Sequence, residues 1–137
     1  MSGTRSGVPD QPASPAVLMV RLWPQPDSCA DARRAVRAFC VDQAVTPLAD
    51  DAELLTSELV TNAIAHCATL ITLLATFSDD RLVVVVRDDE RAERALIAAT
   101  AETMAESGRG LHLVASIAGA WGTTSHPDGK SVWFRLP

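Results

Sequence analysis

Residues 70–88, LITLLATFSDDRLVVVVRD, decide the fold of this chain. Two apolar runs, residues 70–77 and 82–87, contain many β-branched side chains and are joined by a short Ser-Asp-Asp segment. β-branched residues are enriched in strands, whereas Asp and Ser are common in tight turns. The stretch therefore predicts an antiparallel β-hairpin whose second strand ends at Asp88.

A strand and two helices are predicted before this hairpin. Residues 16–23, AVLMVRLW, are rich in strand-forming residues and stop in front of a proline. Ser28 and Asp31 have the spacing of a capping box, and apolar residues follow them at helical spacing. Residues 46–67 predict a second helix, with Thr as the N-cap and Pro at the first helical position.

The chain after the hairpin predicts another helix and a second pair of strands. Residues 90–106 are rich in Ala, Glu and Arg, and their composition fits either a helix or a mobile connection. Residues 108–114, GRGLHLV, start a helix that runs to about residue 118. Residues 121–125 and 131–136 are predicted strands, separated by a His-Pro-Asp-Gly sequence that suits a turn.

The predicted order β-α-α-β-β-α-β-β gives the fold class. It indicates a two-layer α/β (α+β) sandwich, with helices packed on one face of a mixed, mainly antiparallel sheet. Residues 1–15 are rich in Pro, Gly and Ser and are predicted to be a disordered tail. Residues 16–137 are predicted to form a single domain, since a chain of 137 residues can bury one core.

Composition excludes several classes of protein. The net charge is -5, and the 12 basic residues are dispersed rather than clustered, which argues against a nucleic-acid surface. The longest apolar run, residues 82–86, is too short to cross a membrane, and no secretory signal is visible. Cys29 and Cys40 are eleven positions apart, which places them on one helix face and predicts buried, reduced thiols. These features predict a cytoplasmic protein.

The glycine-rich start of the third helix is the first candidate binding site. Glycine inside a helix lowers its stability by about 1 kcal/mol relative to alanine, so Gly108 and Gly110 need a reason. One reason is phosphate binding, because a helix start carries unpaired N–H groups and glycine lets an anion approach them. The other is a simple change of chain direction. The sequence alone leaves both readings open.

Two further positions have side chains suited to chemistry. Glu58 and Asn62 are four residues apart on the second helix, with His66 one turn further. A carboxylate and an amide oxygen on one face suit Mg²⁺, or a carboxylate that activates a nucleophile. Asp88 ends a buried strand, where it could accept hydrogen bonds from a ligand amine. The alternatives are a solvated helix face and a charged strand end.

These features occur in an order that resembles a known family. The helix motif E-L-V-T-N-A-I-A-H, the apolar strand ending in Asp88 and the G-R-G-L-H-L-V segment resemble the Bergerat-fold ATPases, which include gyrase and the catalytic domains of histidine kinases. The short length and the closing D-G-K-S-V-W-F strand look most like anti-sigma-factor serine kinases, in particular small ATP-binding regulators of actinomycete type. The resemblance covers residues 28–137.

The resemblance implies an ATP and Mg²⁺ site with defined roles. Glu58 matches the carboxylate that activates the acceptor hydroxyl or a water, and Asn62 matches the Mg²⁺ ligand. Asp88 matches the acceptor of the adenine amino group, and Ser131 matches a strand Thr or Ser near the adenine. The phosphate loop corresponds to a run of five residues: Gly108, Arg109, Gly110, Leu111 and His112. The adenine box departs from the usual D-x-G, because it reads Asp88-Asp89-Glu90 here.

By the same resemblance, two functions are implied. The first is a protein serine kinase that transfers the γ-phosphate of Mg-ATP to an anti-anti-sigma partner. The alternative is a non-catalytic, nucleotide-dependent or degenerate switch that sequesters a sigma factor or another partner. A homodimer is also implied, with no direct binding of nucleic acid or membrane. A folded domain that lacks a nucleotide site is the third alternative.

Overall fold

Five strands form one antiparallel sheet in the computed structural model, which describes residues 14–66, 69–89 and 114–137. Across the sheet the strands run in the order β1-β2-β3-β5-β4, and each of the four neighbouring pairs is antiparallel. Within the described ranges the sheet therefore contains no parallel pair, although a mixed sheet was predicted. The strands are β1 (Ala16–Leu22), β2 (Ile71–Ser78), β3 (Arg81–Asp88), β4 (Ala120–His126) and β5 (Gly129–Leu136).

The antiparallel hairpin predicted for residues 70–88 is confirmed. β2 pairs with β3 from Ile71↔Asp88 to Ser78↔Arg81, so two residues form the turn. Asp79 and Asp80 both have positive φ, 52° and 61°. A type I′ turn requires positive φ at both central positions and matches the right-handed twist of the strands. Aspartate tolerates this conformation better than most residues, which explains the Asp-Asp pair.

Two long helices precede β2. Helix α1 spans Asp27–Asp42 and helix α2 spans Ala49–His66, with a short 3-10 helix at Thr46–Leu48 before α2. Both are on one side of the sheet, where α1 packs on β1 and α2 packs mainly on β3. The two helices also pack on each other. The predicted two-layer architecture is confirmed.

The predicted helix caps are wrong. The residue before α1 is Pro26, which makes no side-chain capping bond, and Ser28 lies inside the first turn. The Ser28 hydroxyl instead donates to the carbonyl oxygen of Trp23 at 2.6 Å, which ties the helix to the preceding chain. Thr46 is not an N-cap either, because the segment before α2 closes as a 3-10 turn with Leu48 N–H donating to Val45 O at 2.9 Å.

Side chains alternate strictly between the two faces of the sheet. On β3, Leu82, Val84 and Val86 are buried and face the helices, whereas Val83 and Val85 face the other way. We call these two sides the helix face and the outer face. The core lies between the helix face and the helices; its large, fully buried members include Val36, Leu55, Leu59, Ile71, Leu73, Leu82, Val84, Val114, Phe134 and Leu136.

The cysteines on α1 agree with the prediction in part. Cys40 is fully buried and Cys29 is half-buried, and both are free thiols. Burial raises the pKa of the Cys40 thiol. Cys67 lies outside the described residues. No helix within the described ranges is long and apolar enough to cross a bilayer.

The third predicted helix is described only at its end. Residues 114–117 are helical, Val114 is fully buried, and the Ala118 N–H donates to Val114 O at 2.8 Å. Three predictions fall wholly or largely outside the described residues: the tail over residues 1–15, the connection over residues 90–106, and the glycine segment over residues 108–112.

Candidate functional site

One side of α2 carries the predicted polar ridge of Glu58, Asn62 and His66. All three residues are half-buried. Each lies four positions from the next, so the three side chains stack along one side of the helix. Leu55 and Leu59 flank the ridge and are buried in the core. The ridge therefore lies where the helix emerges from the apolar core, rather than on a fully solvated face.

The opposite flank of α2 is occupied by α1. Arg37 forms ion pairs with Asp50 and Glu53 of α2, and these two partners raise the pKa of its guanidinium. Arg33 Nη1 donates to Ser57 Oγ at 3.0 Å. Ser57 precedes Glu58 by one residue, which is a rotation of about 100° around the helix axis. The polar ridge is thus turned by about 100° or more from the side of α2 that contacts α1.

Asp88 is a buried carboxylate at the end of a core strand. Its side chain is 5% exposed and continues the inward series of Leu82, Val84 and Val86 onto the helix face. The backbone N–H of Lys130, its partner across the sheet, donates to Asp88 Oδ1 at 3.3 Å. A buried carboxylate costs free energy unless polar groups surround it. Asp88 is therefore held as an oriented acceptor at the edge of the core.

The end of α2 and the end of β3 meet at one end of the sheet. α2 finishes at His66, and β2 begins at Ile71, which pairs directly with Asp88. Between them, Thr69 Oγ1 accepts a hydrogen bond from the Asp89 N–H at 3.0 Å. The short connection thus places the C-terminal half of α2 and Asp88 on the same face and at the same end. Two of the three predicted parts of the site, the helix ridge and the acidic strand end, therefore lie toward the same end of the sheet.

Gly129 is a residue that the sequence analysis did not select for the site. A Cβ at this position would lie 2.1 Å from the carbonyl oxygen of Asp88 and 3.1 Å from the Asp89 Cα. Only a residue without a side chain lets β5 approach the Asp88 backbone so closely. The two-residue turn at Pro127 and Asp128 sets the pairing of β4 with β5. This turn is the sequence feature from which the position of Gly129 at the start of β5 could have been predicted.

The structure separates Ser131 from Asp88. Ser131 pairs with Arg87, so its side chain lies on the outer face, and its Oγ is 3.5 Å from His126 Nε2. Lys130 pairs with Asp88 and shares its face. Because side chains along a strand alternate between the two faces of the sheet, neighbouring residues such as Lys130 and Ser131 point to opposite faces. Ser131 therefore lies on the face opposite to Asp88, and Lys130 is the β5 residue paired with Asp88 on its own face.

The predicted phosphate loop cannot be placed against these groups. Its five residues, Gly108, Arg109, Gly110, Leu111 and His112, lie outside the described residues. The first described residue after them, Val114, is fully buried in the core. The chain that follows the glycine segment is thus anchored in the core on the helix face, the face on which α2 packs and to which Asp88 points.

The ridge fits a magnesium ion that arrives with a phosphate ligand. Within the described ranges no group of three or more His, Cys, Asp and Glu side chains could enclose a metal. Mg²⁺ does not need such a cage, because it keeps several waters and commonly takes one or two protein oxygens plus phosphate oxygens. Glu58 and Asn62 offer one carboxylate and one amide oxygen, half-buried and one helical turn apart.

Comparison with protein-family models gives a match. Residues 22–136 match the family model described as a histidine kinase-like ATPase domain, and the matched range includes every predicted site residue. No curated protein matches the chain.

Proposed function

Because the chain belongs to the histidine kinase-like ATPase domain family, we propose that it is an ATP-binding regulatory protein of the anti-sigma-factor type. In this proposal it binds Mg-ATP at the end of the helix face and phosphorylates a serine of an anti-anti-sigma partner. The observation that carries the proposal is the placement of the Asn62 ridge and the buried Asp88 carboxylate at the same end of one face. ATP binding follows from the family; the phosphate acceptor and the metal are the proposed parts.

The base end of the site rests on Asp88. Its carboxylate accepts hydrogen bonds only, so it selects a ligand edge that donates, such as the exocyclic amine of adenine. The Lys130 N–H bond to Oδ1 fixes the orientation of the carboxylate. Gly129 keeps β5 close to the Asp88 backbone, which holds this end of the sheet together. An acceptor preorganised in this way binds its ligand without reordering.

The reacting end rests on Glu58 and Asn62. The serine Oγ of the partner attacks the γ-phosphorus, the bond from that phosphorus to the β,γ-bridging oxygen breaks, and ADP leaves. The Glu58 carboxylate accepts the serine proton, and the Asn62 amide oxygen would hold Mg²⁺. When bound, the ion neutralises the negative charge that the phosphate oxygens carry. Positioning and charge neutralisation account for most of the rate in such reactions.

The second candidate function is a non-catalytic switch. It is favoured by the sequence Asp88-Asp89-Glu90, which lacks the glycine usual in this family's adenine box. A bulkier chain beside the base would weaken nucleotide binding or slow turnover while leaving the fold intact. In that case the nucleotide would bias a conformation that sequesters a sigma factor or another partner, without phosphate transfer.

Thermal unfolding tests nucleotide binding. Mg-ATP at about 100 times its Kd should stabilise the native chain by about 2.7 kcal/mol, since it binds only the folded state. Asn62→Ala should lose the Mg²⁺-dependent part of this stabilisation and keep the melting temperature of the free protein. If millimolar Mg-ATP leaves the melting temperature of the wild-type chain unchanged, both nucleotide functions are wrong.

Phosphate transfer separates the kinase from the switch. Labelled ATP is incubated with the chain and purified candidate anti-anti-sigma proteins, and the label on the partner is measured. Glu58→Gln should abolish transfer while sparing nucleotide binding. Asp51→Asn, the same chemical change two turns earlier on the exposed start of α2, is the matched control and should retain transfer. Binding without transfer in the wild-type chain would favour the switch.

A further inference from the structure

The outer face of the sheet carries a continuous apolar row. Met19, Leu74, Val85 and Trp133 are cross-strand neighbours on β1, β2, β3 and β5, and the row ends at Gly122 of β4. Each lies on the outer face because its neighbours along the strand point toward the core. The row crosses all five strands at right angles to their direction, and we call it the apolar row.

In the described structure the row is exposed at its β1 end and partly accessible along the other strands. Met19 is 64% exposed, and Val17, on the same face of β1, is 58% exposed. Leu74, Val85 and Trp133 are half-buried. The helices α1 and α2 pack on the opposite face, so within the described ranges no helix covers the row. Contiguous apolar surface of this kind on a soluble domain marks an interaction site.

Gly122 gives the row a flat end. A Cβ at Gly122 would lie 2.9 Å from Trp133 Nε1 and 3.0 Å from two further ring atoms, so the indole lies directly over this glycine. The tryptophan therefore extends along the sheet surface instead of projecting from it. A flat aromatic side chain contributes a large contact area and loses little conformational entropy on binding.

Arginines flank the apolar row on both sides. Arg21 and Arg87 lie on the outer face on the side toward Asp88, and Arg135 and Arg81 lie on the other side. None of the outer-face positions on the five described strands is acidic, although the chain as a whole has a net charge of -5. The acidic residue Asp89 follows β3 next to this face, and its Oδ1 lies 3.5 Å from Arg87 Nε. The outer face is thus a basic surface on an acidic protein.

Arg135 shows that this basic charge is incompletely paired. Its Nε atom is inaccessible to solvent, and no acceptor in the described part of the chain lies within hydrogen-bonding distance. A buried donor without an acceptor costs about 1–3 kcal/mol. Its guanidinium reaches past Gly119 at the edge of the sheet, where a Cβ would be 3.5 Å from Nη2.

We propose that the outer face binds an acidic amphipathic helix of a partner protein. The row crosses five strands about 4.8 Å apart and is therefore about 19 Å long. A helix rises 1.5 Å per residue, so about 13 residues, or close to four turns, cover this length. Its apolar side contacts Met19, Leu74, Val85 and Trp133, and its acidic flanks face the arginines. This surface is on the opposite face from the ATP site and does not depend on the proposed function.

Charge complementarity favours this occupant over a second copy of the chain. A two-fold dimer through the outer face would place the same arginine-bearing patch on both subunits. Bringing like charges together at an interface costs free energy. Burying a guanidinium there without a carboxylate to pair with it costs still more. Residues 1–13 of the chain, with one Asp and one Arg, also lack the acidic flanks that the surface requires.

A designed peptide tests the proposal on the full chain. The probe is a fluorescent helical peptide of about 15 residues, with leucines on one stripe and glutamates on both flanks; its composition-matched scramble is the negative control. We expect micromolar binding of the probe by fluorescence anisotropy. Arg21→Glu and Met19→Glu should each weaken it by about tenfold. Both side chains are exposed on β1, and circular dichroism checks that each variant is folded.

Two controls separate this surface from other sources of binding. Arg34→Glu, on the exposed side of α1, makes the same change in net charge as Arg21→Glu and should leave the affinity within about twofold of wild type. Asn62→Ala should also leave it unchanged, so failure of the ATP site and failure of this surface give different results.

Several results would overturn the proposal. These are no binding of the peptide at about 1 mM, equal binding of the scramble, or equal loss of affinity in Arg34→Glu. A micromolar dimer in sedimentation that Met19→Glu dissociates would identify a second copy as the occupant. Binding to vesicles of anionic lipid that Met19→Glu abolishes, without binding of the peptide, would identify a membrane surface instead.

Discussion

Replacing Gly129 with alanine should damage the sheet and the base end of the ATP site together. The added Cβ would lie 2.1 Å from Asp88 O, and a real Cβ keeps at least 3.0 Å from such an atom. The obstacle is backbone and cannot rotate away, so β5 must move from β3 by about 1 Å. Overpacking of this kind costs about 1–3 kcal/mol. Weakening of the Lys130 N–H bond to Asp88 Oδ1 adds about 1 kcal/mol.

The expected loss for Gly129→Ala is therefore about 2–4 kcal/mol in the free energy of unfolding. For a domain of this size, 1 kcal/mol corresponds to about 4 °C, so the melting temperature should fall by about 8–16 °C. The displaced carboxylate should also weaken ATP binding beyond the effect of lower stability. Urea unfolding of the free protein and nucleotide titration at a temperature where the variant is folded measure the two effects.

The chain offers a graded control series. At Gly122 the added Cβ meets the Trp133 ring, which can shift, and about 1 kcal/mol is expected. At Gly119 the nearest atoms are 3.5 Å away, an ordinary contact, and less than about 0.5 kcal/mol is expected. If Gly129→Ala is as stable as Gly119→Ala and binds ATP equally well, then the close approach of β5 to Asp88 does not constrain the site.

The remaining predictions concern α1 and α2. Thr56 is fully buried, and its hydroxyl has no hydrogen-bond partner among the described residues. Thr56→Val should therefore raise the free energy of unfolding by about 1 kcal/mol, and a loss of stability in urea unfolding would show that the hydroxyl is paired. Cys40 should resist alkylation until the chain unfolds, because it is buried and its thiol pKa is raised, whereas half-buried Cys29 should react in the native state. Peptide mass spectrometry of the native protein measures both rates, and equal labelling would contradict the buried position of Cys40.

The strands were predictable because their patterns are strong and local. The apolar run at residues 82–87 and the Asp-Asp pair before it specify a hairpin with few alternatives, and the structure shows that hairpin. The same holds for β4 and β5, which are joined at Pro127 and Asp128. Each of these elements is defined by residues close together in sequence, so no knowledge of the rest of the fold is needed.

The helix starts were harder to predict because several hydroxyl groups compete for the same role. Ser28 fits a capping box by spacing, but in the folded chain its hydroxyl binds the Trp23 carbonyl oxygen instead. Thr46 precedes a proline, which suits an N-cap, yet a 3-10 turn forms there. Local propensity allows each of these arrangements. The choice between them depends on how the helices pack on the sheet.

The candidate site residues were selected from the sequence, whereas their geometry depends on the fold. Glu58, Asn62 and Asp88 were selected by residue type and order along the chain, and in the structure α2 packs on the face of the sheet to which Asp88 points. Ser131 was predicted to lie near the adenine, and its place on the outer face could not be read from the sequence because the cross-strand register is a long-range property. Gly129 was missed for the same reason, since its importance appears only when β5 lies beside Asp88.

The pairing of β3 with β5 joins residues that are 42 positions apart at Asp88 and Lys130. Each hairpin can form from its own neighbours, so closing this long loop is the step that joins the two hairpins. The entropy of loop closure grows only with the logarithm of length, and doubling the loop costs about 0.6 kcal/mol. Insertions or deletions between the two hairpins are therefore inexpensive for the fold. A change in the length of this connection, which contains the glycine segment, should therefore leave unchanged the sheet that anchors both of its ends.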